Sequence, residues 1–187
     1  MLFKSWEKSF WKSFVAKSFG CPVFNADNEV GELYKKNRKI FTKLNKALPK
    51  YITQFPIKKE EVTKTILANK NNLRKIIKII HPEIRKKMNI FLKKNKKSKF
   101  IVLDIPLLLE NKINKRKDIL IFIQSKKSEI LKRLKQRQNF NSKILNRFRK
   151  IQLPLDYKRK KSNFIIKNNF TNRFIKKQIK YILNQIY

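Results

Sequence analysis

The sequence predicts an α/β fold, a parallel sheet flanked by helices, on three observations. Phe100-Ile101-Val102-Leu103-Asp104-Ile105-Pro106 and Ile119-Leu120-Ile121-Phe122-Ile123 are continuous apolar runs, the pattern of strands covered on both faces. Helix-period segments alternate with them, which argues for parallel strands joined by helical crossovers. A length of 187 residues suits one compact unit with modest insertions.

In chain order, Phe3, Trp6, Phe10 and Phe14 recur at helical spacing beside a stripe of Lys4, Lys8 and Lys12, predicting an amphipathic basic helix. Gly20-Cys21-Pro22 breaks it, and Val23-Phe24 leads into Asn25-Ala26-Asp27, a brief buried strand ending near Asp27. From Glu29 to about Asn95 the pattern is helical. Leu73, Ile76, Ile77 and Ile80 mark one apolar face there, and Pro56 and Pro82 punctuate it, so that His81-Pro82 reads as a helix start. After the two long strands, Ser128 to Arg137 is a helix pattern with Ile130, Leu131 and Leu134 inward. Phe164-Ile165-Ile166 is a third short strand, and a terminal helix carries Ile175, Ile179, Ile182 and Leu183. The basic, Asn-containing stretch from Arg137 to Lys161 reads as a mobile segment or a lid.

Lys and Arg number 49 against 12 Asp and Glu, a formal net charge of +37, which suggests an anionic partner: nucleic acid, a phosphorylated ligand or a membrane surface. A blander account competes. Lys, Asn, Ile and Phe are abundant throughout while Gly falls to two, as expected of an A+T-rich coding sequence. A nucleic-acid-binding module is one rival function, but most aromatics sit on apolar faces. A membrane-surface protein anchored by residues 1–19 is another, on a short stripe. Cys21 stands alone, which excludes an intramolecular disulfide or a cysteine-based zinc site and fits a reducing cytoplasm. No apolar run approaches the roughly 20 residues that span a bilayer, and no signal peptide opens the chain. A soluble, cytoplasmic protein is expected.

Pro22-Val23-Phe24-Asn25-Ala26-Asp27, His81-Pro82-Glu83-Ile84-Arg85 and Leu103-Asp104-Ile105-Pro106-Leu107-Leu108-Leu109-Glu110 stand in an order and at separations that resemble the dephospho-coenzyme A kinases. Arg133-Leu134-Lys135-Gln136-Arg137, Gln152-Leu153-Pro154 and Phe164-Ile165-Ile166-Lys167-Asn168-Asn169 agree, so the likeness covers nearly the whole chain after residue 14. No single motif is specific; the joint order is. The resemblance implies a P-loop kinase-like, three-layer α/β fold: a parallel sheet flanked by helices, with a helical substrate-binding insertion and a lid. Within a single domain it assigns a nucleotide-binding core at about 1–28, 98–136 and 162–187, an acceptor region at about 29–97 and a lid at about 137–161. The activity it implies is ATP-dependent phosphorylation of the ribose 3′-hydroxyl of dephospho-CoA, the last step of coenzyme A biosynthesis. ATP is then a co-substrate and Mg2+ a cofactor, with no specific nucleic-acid partner.

Phosphoryl transfer needs in-line positioning, neutralised phosphates and a group to orient or deprotonate the attacking hydroxyl. Asp27 is the candidate for the last role, at the carboxyl end of a strand and aligned with the second aspartate of the family's Asp-Ala-Asp. Capping the next helix is the plainer role open to it. The first aspartate of that motif is Asn25 here, which leaves one carboxylate instead of two. Arg137 matches the family's lid arginine, whose planar fork suits phosphate oxygens; Arg133 and Arg147 are weaker candidates. His81 and Arg85 would shape the acceptor pocket, lined from the strand end by Pro106, Leu107 and Glu110. A structural role is equally open to His81, and Glu110 has the alternative of holding a nearby Lys or Arg. The role of Asp104 stays open.

A phosphate-binding loop needs glycines, so that backbone N–H groups wrap the phosphates without side-chain clashes. Here Lys12-Ser13 remains, while Trp6 and Trp11 fill the glycine positions and Glu7 and Ser9 the other loop glycines. The resemblance assigns Ser9, Trp11, Lys12, Ser13 and Phe14 to ATP, with Lys12 on the β- and γ-phosphates and Ser13 on magnesium. The loop as written predicts weak or absent ATP binding. Gene decay and a shifted reading frame that rejoins near Lys12 both account for it.

Overall fold

The computed structural model describes residues 17–136 and 141–186. Gly20, at φ 66°, turns the chain into strand β1 (Val23–Asn25), a backbone setting that a side chain would strain. Four helices follow: α1 (Ala26–Lys36), α2 (Arg38–Ala47), α3 (Lys59–Ala68) and α4 (Lys70–Lys94). Strands β2 (Val102–Asp104) and β3 (Ile121–Gln124) come next, then α5 (Lys127–Lys135), α6 (Ser142–Arg149) and α7 (Leu155–Lys160). Strand β4 (Phe164–Lys167) and helix α8 (Asn172–Ile186) complete the described chain.

Asparagine does most of the capping. The side chains of Asn25, Asn37, Asn69 and Asn141 accept from the first-turn N–H groups of α1, α2, α4 and α6, which satisfies donors that a helix start leaves unpaired. At α3 the cap is Glu61, whose carboxylate accepts from the N–H of Lys58 at 3.2 Å and the hydroxyl of Thr53 at 3.0 Å.

Pro82 does not start a helix; it lies inside the 25-residue α4. Proline removes one hydrogen bond, here the bond to the carbonyl of Lys78. Ile76, Ile80 and Ile84 on the same helix are buried in the main core, and tertiary packing of this apolar face outweighs the local penalty. The core joins α1 to α4 with β1, and an ion pair of 2.8 Å between Glu29 and Lys87 ties α1 to α4 across it.

All strand pairing among the described residues is parallel. Val23, Phe24 and Asn25 lie in register with Val102, Leu103 and Asp104, and Ile121 to Gln124 with Phe164 to Lys167. The α/β class is therefore as the sequence predicts, with the ladder in two parts. A cavity of about 610 Å3 lies between them, lined by β2, β3 and Cys21, and every residue of β2 is only half-buried. On the far side α8 covers β4, burying Ile166 against Ile175, Ile179 and Ile182. No helix of the described residues is long and apolar enough to cross a membrane.

Candidate active site

The carboxyl ends of β1 and β2 lie side by side, with Asn25 in register with Asp104. Asn25 works in two directions. Its Nδ2 donates to Asp104 Oδ2 at 2.7 Å, and its Oδ1 accepts from the N–H of Asn28 at 2.9 Å. An amide at this position turns what would be two facing carboxylates into a donor and an acceptor. Asp27 is the second residue of α1 and is only 6% exposed. The N-terminal end of the helix dipole favours a negative charge there.

Next to Asp27, Ala26 and Val30 line a small cavity of about 30 Å3 together with His81, Arg85, Pro106 and Asn111. Three of the five acceptor residues expected from sequence thus meet at one place. Burial, and next the guanidinium of Arg85, hold the imidazole of His81 below its ordinary pKa, so it is neutral at pH 7. A space this small holds about one water molecule.

Pro106, Leu107 and Glu110 line the larger cavity instead, and Pro106 is common to both. The Glu110 carboxylate is engaged by protein donors. Its Oε1 accepts from Lys158 Nζ at 2.6 Å and from the N–H of Leu153 at 3.0 Å. Arg147 is also engaged, since its Nη2 donates to the carbonyl of Leu67 at 2.8 Å, at the last turn of α3. Arg133 stacks over the ring of Phe170 at 4.2 Å and pairs with Glu129 at 3.6 Å. Ser9, Trp11, Lys12, Ser13, Phe14 and Arg137 lie outside the described residues.

Two participants, and the partner of a third, escaped the sequence. Asn111 closes the loop after β2 by donating from Nδ2 to the carbonyl of Leu107 at 2.7 Å. Its position one residue after Glu110, in a turn-forming residue type, was the available signal. Asp104 left its partner unread because strand register, not sequence distance, pairs it with Asn25. Lys158 gave no signal at all among 49 Lys and Arg; only its burial, at 19% side-chain exposure, sets it apart.

A model of the dephospho-CoA kinase family matches residues 8–173. Curated relatives include the dephospho-CoA kinase of Wolbachia pipientis wMel, 32% identical over 180 residues that cover 94% of this chain and 92% of that protein. The dephospho-CoA kinase of Bartonella quintana is 30% identical over 152 residues, covering 80% of this chain and 77% of that one. Among solved structures, a Thermus thermophilus protein superposes with a TM-score of 0.72 at 18% identity, covering 97% of this chain and 93% of that one. The dephospho-CoA kinase of Campylobacter jejuni superposes at 0.61 and 22% identity, covering 96% and 93%. At these identities the superpositions speak for the fold alone, a parallel α/β fold shared over nearly the whole chain.

Proposed function

We propose a reaction for a chain that belongs to the dephospho-CoA kinase family: it transfers the γ-phosphoryl group of ATP to dephospho-CoA, giving ADP and CoA. The observation that carries this reading is the convergence of Asp27, the Asn25–Asp104 pair and Pro106 beside a cavity that His81 and Arg85 also line. Ligands of parallel α/β folds gather outside the carboxyl ends of the strands. The acceptor is the ribose 3′-hydroxyl. Its proton passes to the Asp27 carboxylate as the oxygen takes the phosphoryl group, and ADP departs. Arg85, exposed at the cavity rim, pairs with a phosphate of dephospho-CoA, while neutral His81 and Pro106 shape the wall. The cavity as it stands is far smaller than the substrate, so acceptor binding widens the space between α4 and the loop after β2.

Mg2+ takes hard oxygen donors and usually keeps several waters and substrate phosphates in its shell. The described residues hold no cluster of three metal-ligating side chains, and magnesium in such a site needs none. Asp104, beside Asn25, would hold the metal together with the Ser13 hydroxyl that the family resemblance assigns to it, and the metal would supply charge neutralisation on the phosphates. Lys12 and Arg137 are the proposed protein partners of ATP. Tryptophans at the loop's glycine positions are expected to make ATP binding weak.

The test is magnesium-dependent conversion of dephospho-CoA to CoA by the purified chain, by Asp27→Asn, and by a version with the loop glycines restored. Activity in the chain as written that drops about 10²- to 10⁴-fold in Asp27→Asn supports the assignment of the base. Activity only after loop restoration identifies an intact acceptor site behind a disabled loop. No activity in any version overturns the reading.

A further inference from the structure

Glu110 occupies the middle of the loop after β2, a loop whose own geometry calls for an anchor. Leu107 at φ 58° and Lys112 at φ 49° both lie in the left-handed region, which is unfavourable for side chains larger than glycine and asparagine. Within the loop, the N–H groups of Asn111, Lys112 and Ile113 donate to the carbonyls of Leu107, Leu109 and Leu108 at 3.0, 3.1 and 3.2 Å. These bonds make the loop a unit without attaching it to the rest of the molecule. Besides the buried side chain of Leu107, a polar attachment runs through Glu110, which accepts from Lys158 on α7 and from the N–H of Leu153 just before α7. Side-chain exposures of 11% for Glu110 and 19% for Lys158 make this a desolvated pair, unlike the surface ion pairs of α1, and such pairs tolerate the loss of one partner poorly. The same α6–α7 segment is fastened a second time, to the last turn of α3, through Arg147 and the Leu67 carbonyl.

We propose that Glu110 is a positioning residue: with Lys158 and Leu153 it couples the Pro106 wall of the acceptor cavity to residues 141–161, so that the two move as one body. Pro106, with Ile105, stands between the small cavity at His81 and the large one between the half-sheets. A displacement of residues 141–161 is therefore transmitted to the surface that meets the acceptor, and acceptor binding restrains that segment in return. The acceptor side of this inference rests on the reading of the small cavity given above; the coupling rests on the Glu110 contacts alone.

The experiment uses the full chain with Glu110→Gln, Lys158→Met and the double variant. It measures dephospho-CoA affinity by calorimetry and amide hydrogen exchange over residues 105–113 and 141–161. Glu110→Gln keeps an acceptor for Leu153 and leaves Lys158 without its counter-charge. Each single variant is expected to weaken dephospho-CoA binding by about tenfold and to speed exchange in both segments, with the double variant no worse than either single. Unchanged affinity beside a lowered thermal midpoint overturns the positioning role and leaves a merely structural pair. Should the variants fail to fold, the unmodified chain decides: dephospho-CoA that protects residues 105–113 and 152–158 together supports the coupling, and protection of one without the other overturns it. If the unmodified chain does not bind dephospho-CoA, the acceptor reading is the one that fails. The coupling then stands if Glu110→Gln loosens both segments and falls if it loosens residues 105–113 alone.

Discussion

Between Phe24 and Ile84, sixteen buried side chains form one continuous core, whereas the chain after Lys99 adds a separate cluster of four, Ile166, Ile175, Ile179 and Ile182. Exposed large hydrophobic side chains run the other way. Of the seven among the described residues, only Ile90 belongs to the helical half before Lys99, and Ile119, Leu155, Tyr157, Ile165, Phe174 and Tyr181 belong to the other. The cavity of about 610 Å3 between β2 and β3 lies on that second side as well. Helices stacked on helices have closed their core around α4, while in the other half β4 packs on α8 and β2 and β3 border the large cavity. Buried apolar surface is therefore concentrated in α1 to α4 with β1.

The widest gap between the halves should appear in large-to-small substitutions. Ile76→Ala or Ile80→Ala, at sites with no exposed surface, is expected to cost about 2–5 kcal/mol in urea unfolding. Ile123→Ala, beside the large cavity and half-buried, is expected to cost about 1 kcal/mol, because less contact is lost. Equal costs would erase the contrast.

Asn25→Asp sharpens it at the junction of β1 and β2. The aspartate still caps α1, but it faces Asp104 across the 2.7 Å now spanned by an amide donor. A loss of about 1.5–3 kcal/mol at pH 7 is expected from the broken charge-assisted bond, recovered in part when Mg2+ is added. Thermal unfolding with and without magnesium reads both effects, and a variant as stable as the parent would show that the Asn25 amide is dispensable.

A smaller effect is expected from pH. The His81 pKa in the folded chain lies below the ordinary 6.5 because of burial and then Arg85, so the unfolded chain takes up the proton first. The contribution is fully present above that ordinary value and is lost as pH falls through the folded one, at no more than about 1.4 kcal/mol per pH unit. His81→Gln should flatten this part of the stability profile below pH 6.5. An unchanged slope would assign the acid sensitivity to other groups. Last, Glu32→Gln on the surface of α1, which removes an ion pair with Lys36 at 2.7 Å, should leave the thermal midpoint unmoved within error, as exposed pairs generally do.

Much of this architecture can be read from residue order because its signals are local. The apolar runs that end in Pro106 and Ile123 contain β2 and the first residues of β3, and the 3.6-residue spacing of Leu73, Ile76 and Ile80 marks the face on which α4 is buried. Pro82 misleads for the same reason: its local effect is to break a helix, and only the packing around Ile80 and Ile84, contributed by distant elements, decides otherwise. At the site, His81, Arg85 and Pro106 share a cavity as the motif order implied. The partners of Glu110 and Asp104 could not be read, since one depends on which of many lysines is shielded from water and the other on strand register. The loop residues from Ser9 to Phe14 and Arg137 lie outside the described residues.

Cys21, which lines the large cavity, supplies a built-in reporter for it. Burial raises the pKa of its thiol, and a thiol reacts through its thiolate, so labelling at neutral pH is slow and limited by how often the side chain meets solvent. With no second cysteine in the chain, a single reagent modifies a single position and the rate has one interpretation. The space between β2 and β3 thus carries its own clock, and whatever fills or braces that space would register as a slower tick.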